Sequence, residues 1–207
     1  MKALGPRDKI IFLGDSITEQ GGGPRGYVTI VTDSLRAKYG EHAPAVINAG
    51  ISGNKVTDLQ ARLDRDVLSK KPTVVVVYIG INDVWHFASP GLGGTPKDVY
   101  EAGLRDVVSR VRATGAAVIL CTPSVIGEKH NGGNPQDTML DEYSGISREI
   151  AKEAGVSLCD LRKIFTAYLR LNNPDNVSEN ILTIDGVHLN DEGNKLVARS
   201  IMESFGV

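Results

Sequence analysis

The run Val74-Val75-Val76-Val77-Tyr78-Ile79 has no charged or amide side chain at any position. A strand points alternate side chains to opposite faces, so a strand apolar throughout needs cover on both. That requirement selects a sheet held between two helix layers and argues against one with a wet face. Four more short apolar runs accompany it: Ile10-Ile11-Phe12-Leu13, Ala45-Val46-Ile47, Ala117-Val118-Ile119-Leu120 and Val156-Ser157-Leu158. Between the runs, apolar residues step by three or four, as in Val56, Leu59, Leu63 and Val67 or Met139, Tyr143, Ile146 and Ile150, which is the spacing of an amphipathic helix. Gly40, Gly115 and Gly155 stand where such helices stop ahead of a strand, positions that suit a left-handed cap. Alternating strands and helices, closed by a last helix from Asp191 to Phe205, predict an α/β fold. Its three α/β/α layers enclose a five-stranded parallel sheet, doubly wound and flavodoxin-like. No repeat or linker interrupts the pattern, so residues 1–207 are expected to form a single domain.

Charge excludes some partners. The chain has 23 Lys and Arg against 25 Asp and Glu, a formal net charge of −2, which gives no electrostatic footing for nucleic acid or an anionic membrane surface. Cys121 and Cys159, the only cysteines, both lie in apolar stretches. Two buried thiols are expected there, not a disulfide framework or a zinc site. No run reaches the length of a membrane span, and Met1 to Asp8 lacks the apolar stretch of a signal peptide. A cytoplasmic location is the expectation, or a secreted one where a leader has been removed. Oligomeric state is not legible. Glycine is the outlier, with 23 residues in 207 against an average of roughly 7%.

In an open parallel sheet, ligands bind beyond the carboxyl ends of the strands. The first strand is followed by Gly14-Asp15-Ser16-Ile17-Thr18, whose serine suits either a nucleophile or a helix N-cap. The second leads into Asn48-Ala49-Gly50-Ile51-Ser52-Gly53 and the third into Gly80-Ile81-Asn82-Asp83. Glycine amides and an asparagine side chain can donate to developing negative charge, or can shape ordinary turns. Asp185-Gly186-Val187-His188-Leu189-Asn190 precedes the last helix. An aspartate three residues ahead of a histidine can take the proton of one ring nitrogen, leaving the other to accept a proton from serine. His42, His86 and His130 have no comparable partner. Four such loops in this order would rarely arise from independent caps and turns.

On these blocks, from Lys9 to about Phe205, the chain resembles the SGNH hydrolase superfamily, the GDSL esterases and lipases. Ile17 stands where the name-giving motif has leucine, an isosteric change. The resemblance implies a carboxylic ester hydrolase working through an acyl-enzyme, with Ser16 as nucleophile, His188 as general base and Asp185 supporting the imidazolium. It implies an oxyanion hole built from the N–H groups of Ser16 and Gly53 and the side chain of Asn82, a small-molecule ester as substrate, and no cofactor or metal. Short acyl esters, acetyl above all, are the expected substrates, with carbohydrate O-deacetylation as a plausible task. A lysophospholipase or thioesterase acting on longer acyl groups uses the same machinery, and a non-catalytic carbohydrate- or lipid-binding module uses the same crevice.

Other patterns compete less well. Gly21-Gly22-Gly23-Pro24-Arg25-Gly26 spells G-x-G-x-x-G, but Gly14 to Gln20 intervene after the first strand and the second ends in Asn48, not in an acid. The G-x-S-x-G elbow is absent, and Asp15, Asp83 and His188 lack metal-ligand spacing. Three long loops, His86 to Lys97, Ser124 to Asp137 and Asn172 to Thr183, lie on the functional side. Trp85, His86, Phe87 and Tyr27, with Arg25, are candidates to wall a substrate pocket, and Lys129 and His130 to meet a polar leaving group. Asp160 reads as a helix N-cap. Fifteen of the 23 glycines fall on segments placed at the functional end of the sheet, where chain turns tightly.

Overall fold

Five parallel strands, β1 (Lys9–Gly14), β2 (Ala45–Gly50), β3 (Val74–Tyr78), β4 (Ala117–Cys121) and β5 (Ser157–Cys159), hydrogen-bond in the order β2-β1-β3-β4-β5. The chain runs one way from β1 to β2, then reverses past β1 to β3. A crevice therefore opens beyond the carboxyl ends of β1 and β3, where the connections leave to opposite faces. The computed structural model describes residues 4–207. The reading of the chain's first residues as lacking a signal peptide falls partly outside them.

Eight α-helices are described: α1 (Ser16–Gln20), α2 (Tyr27–Tyr39), α3 (Val56–Asp66), α4 (Ile81–Trp85), α5 (Lys97–Ala113), α6 (Asp137–Ala154), α7 (Leu161–Asn172) and α8 (Asp191–Phe205). Right-handed crossovers in opposite directions distribute them over the two faces. Helix α2 packs on α8, while α3 packs on α5 and α5 on α6. The covered sheet is dry: all five residues of β3 are buried, as are Ile10 to Leu13 of β1. Phe12 and Tyr27 meet edge-to-face with ring centroids 5.8 Å apart, and Tyr27 meets Tyr78 at 6.3 Å.

Helix α6 ends on Gly155 in a left-handed cap, as its position suggests. Gly40 differs. Its φ of +58° is paired with an extended ψ, and it opens a single 3-10 turn, Gly40–His42, before β2. Gly21 to Gly26 form the turn from α1 into α2 and do not directly follow a strand. Asp160 caps α7, accepting from the Lys163 N–H, and also pairs with Arg148. Cys121 and Cys159 are register partners on β4 and β5, both buried as free thiols. Among the described residues, no helix is long and apolar enough to cross a membrane.

Candidate active site

The sheet register sets Gly14 beside both Gly50 and Tyr78, so the loops that follow β1, β2 and β3 start level with one another. Helix α1 lies directly on these strand ends. A Cβ on Gly14 would collide with Thr18 Oγ1, and one on Gly50 with the backbone nitrogen of Glu19. The two glycines thus admit the helix whose first residue is Ser16. An N-cap is present, but Asp15 supplies it, Oδ1 accepting from the Ile17 N–H at 3.0 Å. The Ser16 hydroxyl is left to face His188, with Oγ 3.0 Å from Nε2.

His188 is oriented from its other side. Its Nδ1 lies 2.7 Å from Asp185 Oδ2, while Asp185 Oδ1 accepts from the backbone N–H groups of His188 at 2.7 Å and Val187 at 3.0 Å. Burial pushes the Asp185 carboxyl upward, but the hydrogen bonds from His188 and Val187 outweigh it and hold the group below the usual carboxylate range. The segment folds back on itself: Thr183 bridges Leu189 antiparallel, and the Ile184 N–H donates to the His188 carbonyl at 2.8 Å. Nδ1 is thereby fixed as the donor to Asp185, leaving the lone pair on Nε2 for the serine proton.

Glu128 holds this segment in place, a role that sequence reasoning missed. Fully buried, its carboxylate accepts from the N–H groups of Ile181, Leu182 and Thr183 at 2.6–2.7 Å and from the Thr183 hydroxyl at 2.8 Å. The neighbouring Gly127 N–H donates to the Gly186 carbonyl at 2.7 Å. A glutamate in a Gly/Asn-rich loop carries no local signal of burial.

The loops beyond β2 and β3 supply donors. Gly53 sits in a turn with φ +77°, and its N–H meets no acceptor among the described residues. Asn82 is buried at the start of α4, and its Nδ2 donates one hydrogen to the Asn54 carbonyl at 3.0 Å. The second amide hydrogen stays available. Arg62, also unforeseen, locks this corner from below. Its buried guanidinium donates to the carbonyls of Gly14 (2.8 Å) and Ala49 (2.9 Å), to Asn54 Oδ1 (2.7 Å) and to Asp66 (3.0 Å). One side chain therefore ties the ends of β1 and β2 to the residue that accepts from Asn82.

Two buried carboxylates lie beneath the site. Burial pushes Asp15 up to about 7, against the pull of the Ile17 N–H and with a smaller push from Asp83. Burial also raises Asp83 to about 6, opposed by the Thr95 hydroxyl and the Val56 N–H. Asp83 Oδ1 accepts from Val56 N at 3.1 Å, tying the start of α3 to α4, the helix that carries Asn82.

The pocket candidates divide. Trp85 stands edge-on to His188 with centroids 6.0 Å apart, and it lines a cavity of about 250 Å³ together with Ile126, Lys129, Pro135 and Asp185. Tyr27 must be corrected: α2 turns its ring into the core, fully buried, with the hydroxyl bonded to Thr18 Oγ1. His86 is buried beside Trp85, where burial and then the Lys55 charge depress its basicity, and it does not line the cavity. Phe87, half exposed, packs over Gly94 outside the cavity. Arg25 pairs with Asp191 at 2.6 Å. His130 is held through Nε2 by the Asn173 carbonyl at 3.1 Å.

Comparison with known proteins places this geometry. The family model GDSL-like Lipase/Acylhydrolase matches residues 12–196. The acetylxylan esterase of Geobacillus stearothermophilus is 35% identical, over 98% of this chain and 96% of its own length. The crystal structure of an acetyl xylan esterase, AlAXEase, superposes with a TM-score of 0.92 at 45% identity, covering 95% of this chain and 98% of that one. Solved forms of Axe2, an acetylxylan esterase from Geobacillus stearothermophilus, are 33% identical and include catalytic mutants at a serine, an aspartate and a histidine. One of them aligns over all of this chain and 97% of its own, with a TM-score of 0.87.

Proposed function

The chain belongs to the GDSL-like lipase/acylhydrolase family and is a carboxylic ester hydrolase; from that premise we propose that it removes acetyl groups from carbohydrate esters, with Ser16, His188 and Asp185 as its catalytic residues. The observation that carries the assignment is the continuous relay from Ser16 Oγ through both His188 nitrogens to Asp185, at 3.0 and 2.7 Å. Ser16 Oγ attacks the ester carbonyl carbon while its proton passes to His188 Nε2. Asp185 stabilises the resulting imidazolium. The tetrahedral oxyanion is met by the N–H groups of Ser16 and Gly53 and the free amide hydrogen of Asn82. Collapse breaks the bond to the sugar oxygen, which leaves with the proton from Nε2, and an acetyl group remains esterified to Ser16 Oγ. Water then attacks that ester, His188 again taking the proton, and the acid and free serine are regenerated.

Substrate choice draws on the relatives. The relatives at 35% and 45% identity, matched over nearly their whole lengths, are acetylxylan esterases. Residues 1–207 are taken as one domain serving this site. The test is an ester panel with Ser16→Ala. Wild type is expected to hydrolyse p-nitrophenyl acetate faster than the palmitate and to release acetate from acetylated xylo-oligosaccharides, while Ser16→Ala loses turnover. Hydrolysis by Ser16→Ala at the wild-type rate would refute the nucleophile, and a preference for palmitate would refute the acyl choice.

A further inference from the structure

A second cavity, of about 460 Å³, lies between α7, the start of α6 and the loop before it. The stretch from Val125 to Pro135 is the wall between this cavity and the one beside His188. Val125 and Gly132 face the larger space, Ile126 and Gly133 the smaller, and Lys129 lines both. The Glu128 bonds that hold the His188 segment also hold this wall.

The charges inside the larger cavity do not cancel. Arg162, buried at its base, is answered by Asp137 at 2.8 Å and Asp141 at 2.6 Å. Lys129, Lys163 and Arg170 also line it, and none of them reaches a carboxylate within 4.0 Å among the described residues. The chain as a whole carries a net charge of −2, so this concavity is an exception to its overall balance. Low-dielectric walls focus such a field on a ligand more than a convex lysine-bearing surface would. Arg170 offers a planar fork suited to a carboxylate, and the exposed Ala167 leaves room beside it on the same helix.

We propose that this cavity is a subsite for a carboxylate-bearing sugar unit carried on the same glycan as the acetyl ester, with Lys129 as the shared boundary. This depends on the carbohydrate O-deacetylase reading above and extends it: the enzyme prefers acetylated glycans bearing uronate units. The contacts are exposed ion pairs, each contributing modestly, so loss of two of them is expected to change affinity by about three- to tenfold.

The test uses the full chain and a Lys163→Gln/Arg170→Gln double variant, both positions being exposed. Binding is followed by NMR amide shifts with an acetyl-free xylo-oligosaccharide bearing a glucuronate branch, the unbranched oligosaccharide, and inorganic phosphate. The branched ligand is expected to shift α7 amides with a Kd about three- to tenfold tighter than the unbranched one, an advantage lost in the double variant and at about 0.5 M salt. Equal affinity for branched and unbranched ligands overturns the subsite, as does phosphate binding as tightly as the branched ligand. On acetylated substrates, the branched-to-unbranched ratio of kcat/KM is expected to fall toward one in the double variant; an unchanged ratio also counts against the subsite. Wild-type turnover of p-nitrophenyl acetate reads the parent activity separately, and its absence would sink the esterase reading while the binding measurement still decides the subsite.

Discussion

Replacing Glu128 with glutamine removes a charge without changing size, and the structure sets the cost. Oε1 accepts three hydrogen bonds, from Leu182 N, Thr183 N and Thr183 Oγ1, and Oε2 accepts one, from Ile181 N. A glutamine oxygen can keep the three, but as neutral bonds weaker by about 1 kcal/mol each. Its amide group then confronts the Ile181 N–H, donor against donor in a buried place, at a cost of about 1–3 kcal/mol. Allowing for relaxation, Glu128→Gln is expected to lose about 3–5 kcal/mol, a large share of the 5–15 kcal/mol typical of a folded chain. Urea unfolding at neutral pH measures it. Because residues 181–183 lead directly into Asp185 and His188, kcat on p-nitrophenyl acetate is expected to fall about tenfold or more in protein shown to be folded, with a smaller change in KM. Unfolding energies within about 0.5 kcal/mol of wild type would refute the clamp. A destabilised variant with wild-type kcat would refute its link to the catalytic segment.

Three other outcomes are expected. Asn82→Ala should lower kcat on p-nitrophenyl acetate by about 10²- to 10³-fold with little change in KM; an effect confined to KM would remove Asn82 from the oxyanion hole. Arg62→Met should take away the guanidinium bonds to the Gly14 and Ala49 carbonyls and to Asp66, while Arg65 still pairs with Asp66, costing about 1–3 kcal/mol in urea unfolding and also lowering kcat; unchanged stability would refute the lock. Asp15 titrates at about 7 when folded against 3.8 as its reference, so its contribution to stability is full below about pH 4 and is lost as pH rises through 7. The change amounts to at most about 4 kcal/mol. Asp15→Asn should flatten this part of the unfolding profile measured between pH 4 and 8, and a variant profile parallel to wild type would refute the assignment.

Local chemistry made part of the site readable in advance. Ser16 follows a strand directly, Asp185 and His188 are three residues apart, and Asn82 lies two beyond Gly80; these relations survive folding because a tight turn or a strand end brings them about. The long loops beyond β3 and β4 were likewise visible, and Trp85, the last residue of α4 just ahead of the first of them, does face His188. Tyr27 was misplaced because nearness in sequence to Ser16 says nothing about where α2 points it; Phe12 and Tyr78 take it into the core. Glu128 and Arg62 gave no signal at all. A charged residue in a loop or on a helix is ordinarily solvated, and these two are buried only because partners up to 55 residues away in the chain close around them.

The sequence by itself determined the strand and helix order, the doubly wound topology and which loops meet at the mouth of the sheet. Apolar periodicity and right-handed crossovers are local or nearly local rules, and they leave few alternatives. Only the tertiary structure decided how the pieces are held: which carboxylate clamps the His188 segment, which guanidinium joins β1 and β2 to Asn54, and that three cations without a carboxylate partner among the described residues line one cavity. Those outcomes depend on burial and charge balance among residues far apart in the chain, and no spacing in the sequence encodes them.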